Sequence, residues 1–143
     1  AARITVKIFI DSSSLFNKYI TEAGSDTLEI VLKEASMIIV SPVTLLELTA
    51  TLERRFREKT LSKHQMEVIK SELFKDFKYF HQIIWDEILE KESLSLVGKY
   101  PLRTLDAIQL ASGCLSKSDL FVASDKLLLE KAKKELSRIL FVG

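Results

Sequence analysis

The sequence predicts an α/β domain in which a central, mostly parallel sheet of about five strands is covered on both faces by helices. Short β-branched apolar runs alternate with longer amphipathic stretches along the whole chain. The runs are uniformly apolar rather than apolar at every second position, as strands buried on both faces are. The 143 residues are 47% hydrophobic and include only four Gly and two Pro. No Ser- or Gly-rich linker and no internal repeat divides them, so residues 1–143 read as one three-layer domain.

Thr5 to Ile10 (TVKIFI) reads as the first strand, and Asp11 with Ser12, Ser13 and Ser14 then supplies helix-capping residues. A helix over Thr27 to Ala35 leads to a second buried strand, Met37 to Val40. Ser41-Pro42 offers a cap and a first-turn proline. Leu45, Leu48, Leu52 and Phe56 then recur at three- and four-residue spacing, giving a helix to about Glu58. Ser62 and Gln65 form a capping-box pattern ahead of the stripe Met66, Ile69, Leu73 and Phe77. That helix runs to Phe80, with its aromatic end (Phe74, Phe77, Tyr79, Phe80) expected mostly in the core. Gln82 to Trp85 reads as a third strand, followed by a helix from Asp86 to about Leu96. After Pro101, a helix over Arg103 to Leu115 sets Leu105, Ile108, Ala111 and Leu115 on one face. Leu120 to Ala123 and Ile139 to Val142 read as the last strands, flanking a helix over Lys126 to Leu136.

Charge is nearly balanced, 21 basic against 20 acidic residues, so the composition lacks the basic excess of many nucleic-acid-binding domains. Between Thr51 and Phe80, eight basic residues meet five acidic ones, and Arg54, Arg55, Arg57 and Lys59 are clustered there. This run suits RNA or an acidic partner segment, and an ordinary solvated helix face equally well. One cysteine, Cys114, excludes an intrachain disulfide and has no partner at zinc spacing, which makes a reducing, cytoplasmic setting the default. The opening AARITVKIFI lacks the charged and long apolar regions of a signal peptide, and no apolar run approaches 18 residues. Neither a signal peptide nor a membrane span is expected.

Four carboxylates stand out. Asp11 and Asp125 each follow a strand, where ligands bind in open α/β sheets. Glu47 lies among Leu45, Leu46 and Leu48, about one and a half turns into its helix, and is costly to bury unless paired. Asp106 sits near the start of the helix in LRTLDAIQLA, where it favours the helix dipole, with Thr104 as cap. Singly, each has a plain structural reading: Asp11 and Asp125 as caps, Asp106 as a dipole-favourable surface acid, Glu47 as an exposed helical Glu. Gathered in one pocket, they repel one another unless a multivalent cation intervenes. All-oxygen ligands without Cys or His suit Mg²⁺ or Mn²⁺.

Four segments, FIDSSSLFNKY, SPVTLLELTATL, LRTLDAIQLASG and FVASDKLLLEKAKK, resemble in order and spacing the motifs of PIN-domain nucleases, most closely the VapC-type ribonuclease toxins of toxin-antitoxin modules. The resemblance spans nearly the whole chain and implies a PIN-like α/β/α fold. It implies an acidic site of Asp11, Glu47, Asp106 and Asp125, with Ser13 and Ser124 as hydroxyl partners. It also implies Mg²⁺-dependent hydrolysis of RNA to 5′-phosphate and 3′-hydroxyl ends, a cognate antitoxin and a homodimer. Arg103, three residues before Asp106, is placed to meet a phosphate oxygen, although an arginine there is more often a surface or salt-bridge residue.

Other chemistries fit less well. His64 and His81 lie far in sequence from the acidic motifs, and Ser12 to Ser14 lack a histidine partner, which disfavours histidine-dependent RNA cleavage and serine hydrolysis. A receiver domain would pair its acids near the first strand, and a haloacid-dehalogenase phosphatase would have Asp at position 13. The open alternative is a PIN-like module that binds RNA or protein without cutting.

Overall fold

The computed structural model describes residues 6–143, so the expected start of the first strand at Thr5 lies outside the described residues. Five strands form one sheet: β1 (Val6–Ile10), β2 (Ala35–Val40), β3 (His81–Gln82), β4 (Leu120–Ala123) and β5 (Ile139–Phe141). Their order is β3-β2-β1-β4-β5 and every pairing is parallel. Seven helices complete the described chain: α1 (Ser12–Leu15), α2 (Ser25–Glu34), α3 (Thr44–Arg57), α4 (Lys63–Phe77), α5 (Glu87–Lys99), α6 (Thr104–Leu115) and α7 (Lys126–Glu135). A 3-10 turn, Phe16–Lys18, extends α1.

The pleat of β1 divides the core. Ile8 and Ile10 face one side, where they pack with Leu28, Leu48, Leu52, Met66, Leu73 and Phe77 from α2, α3 and α4. Phe9 faces the other, with Leu89 and Leu96 of α5, Leu110 and Ala111 of α6, and Leu128 and Leu129 of α7. This is the expected three-layer α/β/α arrangement. Central strands buried on both sides have no polar face to show, which is why their sequences read as continuous apolar runs.

Boundaries differ from the expectations where local hydrogen bonding decides them. At α1 the expected cap is present: Asp11 holds the position and its carboxylate accepts from Ser14 N. Ser41 and Pro42 form a turn one step ahead of α3, tied by Val43 N donating to Ser41 Oγ and by the Ser41 and Thr44 hydroxyls 2.9 Å apart. The helix therefore starts at Thr44 and puts Glu47 in the first turn rather than one and a half turns in. Thr104 does not cap α6; Arg103 holds that position without a side-chain bond. The Ser62–Gln65 capping box is present with both reciprocal bonds. At the aromatic end of α4, Phe77 is buried and meets Phe80 edge-on at 5.2 Å, whereas Phe74 and Tyr79 are exposed.

The third strand is two residues rather than four. Ile83 N adds one more bond to Val40 O, but Ile84 and Trp85 turn outward and Asp86 caps α5 through Leu89 N. An edge strand gains ladder bonds on one side only, so it ends early. The helix α6 is buried nearly all round from Ala107 to Gly113, and Leu105, expected on its core face, is exposed.

Candidate active site

The sheet order fixes where a site can form. From β1 the chain builds outward through β2 and β3, then returns to lay β4 and β5 on the other side of β1. The crevice at the carboxyl ends of β1 and β4 is thus the topological switch point, where open α/β sheets take their ligands. Asp11 follows β1 and donates its backbone N–H to Val122 O across this junction at 3.0 Å. Ser124 and Asp125 follow β4. Helices that connect parallel strands begin at the same edge, so α3 and α6 deliver Glu47 and Asp106 there in their first turns.

All four acids consequently sit at helix N-termini, Asp11 and Asp125 as caps of α1 and α7. The exposed N–H groups and the positive dipole end stabilise each carboxylate. The structural readings of Asp11, Asp125 and Asp106 as cap or first-turn acids are therefore all realised. They do not exclude a further role, because the caps leave carboxylate oxygens over.

Asp11 is 4% exposed. Its Oδ1 accepts from Ser14 N at 3.0 Å, and Ser13 Oγ reaches both oxygens, at 3.0 and 2.8 Å. Burial pushes its pKa from 3.8 up to about 6; the Ser14 N–H and the Ser13 and Ser14 hydroxyls oppose this, and the charge of Glu47 adds a smaller upward push. Glu47 Oε1 accepts from Ser12 Oγ at 2.8 Å and from Gln109 Nε2 at 2.7 Å. Among the described residues, no basic side chain forms an ion pair with Asp11 or Glu47.

The other two acids share a cation. Arg103 Nε lies 3.1 Å from Asp106 Oδ2, and its Nη2 lies 3.9 Å from Asp125 Oδ2. Asp125 Oδ1 is committed to the Leu127 and Leu128 N–H groups, at 2.9 and 3.2 Å. Serines join the two halves: Ser14 and Ser124 hydroxyls are 2.9 Å apart, and Ser124 N donates to Ser13 Oγ at 3.4 Å. Ser12, Ser13, Glu47, Thr51, Arg54 and Arg103 line one open cleft over this edge.

The four acids thus form two adjoining pairs, Asp11 with Glu47 and Asp106 with Asp125. Among the described residues, no three Asp, Glu, His or Cys side chains converge as they stand on a point that would hold an ion. The donor set nevertheless fits a hard divalent cation: carboxylate and hydroxyl oxygens, with His64 opening α4 and His81 on the edge strand β3 rather than among the acids. A buried carboxylate beside a second one, with no basic partner, is an arrangement that such a cation relieves.

Sequence reasoning missed Gln109. It is buried on α6, and its Nε2 donates to Glu47 Oε1 and to Ser12 Oγ, each at 2.7 Å, while its Oε1 is buried without a hydrogen-bond partner. The signal was present, since a Gln one turn after Asp106 in the apolar stretch DAIQLA needs a polar neighbour. Thr44, also buried, lies 3.4 Å from the same Nε2.

The PIN domain family model matches residues 8–134, and the chain belongs to the PIN domain family. No curated protein matches the sequence significantly. Among solved structures, a toxin-antitoxin complex from Klebsiella pneumoniae contains a similar chain, with a TM-score of 0.66 at 17% identity over 95% of this chain and 98% of that one. VapBC2 from Rickettsia felis, bound to a DNA fragment from its promoter, gives 0.65 at 15% identity over 94% and 96%. DNA-bound VapBC from Salmonella typhimurium gives 0.69 at 12% identity over 97% and 100%. At these identities the likeness establishes the fold.

Proposed function

We propose that this protein is a Mg²⁺-dependent endoribonuclease, acting as the VapC-type toxin of a toxin-antitoxin pair. The observation that carries the metal-nuclease reading is the pairing of buried Asp11 with Glu47 at the switch point of a PIN fold, without a basic side chain to neutralise them. Asp11 and Glu47 would hold the metal, with Asp106 and Asp125 completing the acidic set and Ser13 and Ser124 positioning Asp11. Bound there, Mg²⁺ supplies Lewis-acid activation of water and neutralises charge growing at the scissile phosphate; Mn²⁺ suits the same ligands.

The chain's own residues prepare that chemistry. Gln109 and Ser12 hold Glu47 Oε1, leaving Oε2 without a protein donor among the described residues and turned to other use. Ser13 and Ser14 hold Asp11 in one orientation. Arg103, 83% exposed and only loosely tied to its two acids, is placed to exchange them for a phosphate oxygen.

The toxin reading is supported by the fold shared with chains of toxin-antitoxin and VapBC complexes. An antitoxin partner and a homodimer would cover exposed apolar side chains such as Val68 and Phe74 on α4 and Ile84, Trp85 and Ile88 around the start of α5. Among the described residues no helix is long and apolar enough to cross a membrane. A cytoplasmic site of action, where RNA and antitoxin are both available, follows from the proposal.

Incubating purified protein with RNA tests this reading. Cleavage in Mg²⁺ that stops in excess EDTA and in Asp11→Asn is the expected result, with 5′-phosphate ends on the products. Unchanged cleavage in that variant or in EDTA would sink it. Binding without cleavage would instead mark a non-catalytic PIN module.

A further inference from the structure

The structure divides the basic run at the end of α3 into one arginine held by other groups, two cations outside the cleft and one arginine that lines it. Arg55 Nη2 is 2.6 Å from Glu22 Oε1, and its guanidinium lies 4.7 Å from the centre of the Phe16 ring. Arg57 and Lys59 are outside the cleft that runs over the acids. Arg54 lines it. Its one ion-pair partner among the described residues is Glu58, at 4.0 Å, with both side chains more than half exposed. An exposed pair of this kind is weak and screened by salt, so it does not hold the guanidinium.

Placement on the helix gives this residue a direction. Glu47, Thr51 and Arg54 follow one another at four and three residues, so they share a face of α3. At 1.5 Å per residue, Arg54 stands about 10 Å along the axis from Glu47. The cleft is therefore acidic where Glu47 lines it, beside Ser12 and Ser13, and basic farther out along α3 at Arg54. Glu22, which also lines it, is offset by Arg55. A polyanion entering such a cleft finds repulsion at the acidic end, except where a cation intervenes, and a free guanidinium beyond it.

We propose that Arg54 is a positioning residue for single-stranded RNA, binding a backbone phosphate that flanks the one at the acidic end, so that the strand runs along the exposed face of α3. This rests on the ribonuclease reading. Arg54 holds the strand and does not touch the reacting atoms.

The test is binding of a labelled single-stranded RNA across a salt series, measured in the Asp11→Asn protein so that nothing is cut. Adding Arg54→Ala is expected to weaken binding about tenfold, as loss of one charge-assisted contact does. It should also flatten the plot of log affinity against log salt by about 0.7, the contribution of one phosphate contact on a single strand. Arg54→Lys should keep the slope, and Arg57→Ala should leave affinity and slope near the parent. In the cleaving protein, Arg54→Ala should raise KM with little change in kcat. An unaltered slope in Arg54→Ala, or the same flattening in Arg57→Ala, overturns the inference while leaving the nuclease reading intact. A parent protein that neither binds nor cuts RNA overturns both.

Discussion

Asp11 carries a conflict between burial and charge that pH can expose. Its pKa is raised from 3.8 to about 6, so in metal-free protein its contribution favours the fold at low pH and is lost as pH rises through about 6. Asp11→Asn keeps a capping oxygen for Ser14 N and does not titrate. In EDTA, the variant should match the parent near pH 3, below the ordinary value of 3.8, and exceed it above pH 7, by up to about 3 kcal/mol for a shift of this size. Denaturant midpoints at the two pH values measure this, and a constant gap between the two proteins contradicts it. Gln109 makes the opposite case, since its amide holds Glu47 and Ser12 from within the core. Gln109→Leu leaves Glu47 Oε1 with the Ser12 hydroxyl as its one donor, and should cost about 1 kcal/mol in chemical denaturation while weakening Mg²⁺ binding in calorimetry. Unchanged affinity would mean that Glu47 needs no such support.

Elements whose ends are written in short-range polar chemistry were readable from the chain, and those decided by distant packing were not. The α4 start is the clear case, with Ser62 and Gln65 bonding each other's backbone as their spacing requires. Ser62→Ala should therefore cost about 1 kcal/mol, seen as a lowered Tm with the site unaffected. Ser41-Pro42 looked equally like a helix start, but buried Thr44 captured Ser41 and shifted α3 by two residues. The three apolar residues Ile83, Ile84 and Trp85 after Gln82 suggested a longer third strand, which a partner on one side alone does not sustain. The tight contact between α6 and β4 was also hidden. A Cβ on Gly113 would lie 2.4 Å from the Phe121 ring, which stacks on Phe9 with centroids 5.3 Å apart. Overpacking of this kind costs about 1–3 kcal/mol, so Gly113→Ala should lower the urea midpoint without changing which metal binds. Wild-type stability in that variant would show that the two layers part easily.

Across the whole molecule, the parallel order β3-β2-β1-β4-β5 brings four acids, separated by as many as 114 positions, to one edge of the sheet. Asp11, Glu47, Asp106 and Asp125 were visible in the chain because each breaks an apolar context or ends a strand. Their grouping as two pairs was not visible, nor were the serine links between Ser13, Ser14 and Ser124, because these arise from the placing of β1 between β2 and β4. The same edge collects the N-termini of α3 and α6, so fold and charge reinforce each other there. The most direct test of the proposed metal centre is anomalous diffraction from crystals soaked in Mn²⁺. A peak within direct coordination distance of carboxylate oxygens of Asp11 and Glu47 is the expected result. A cleft without a peak at saturating Mn²⁺, or a peak bound only by residues elsewhere, would contradict it.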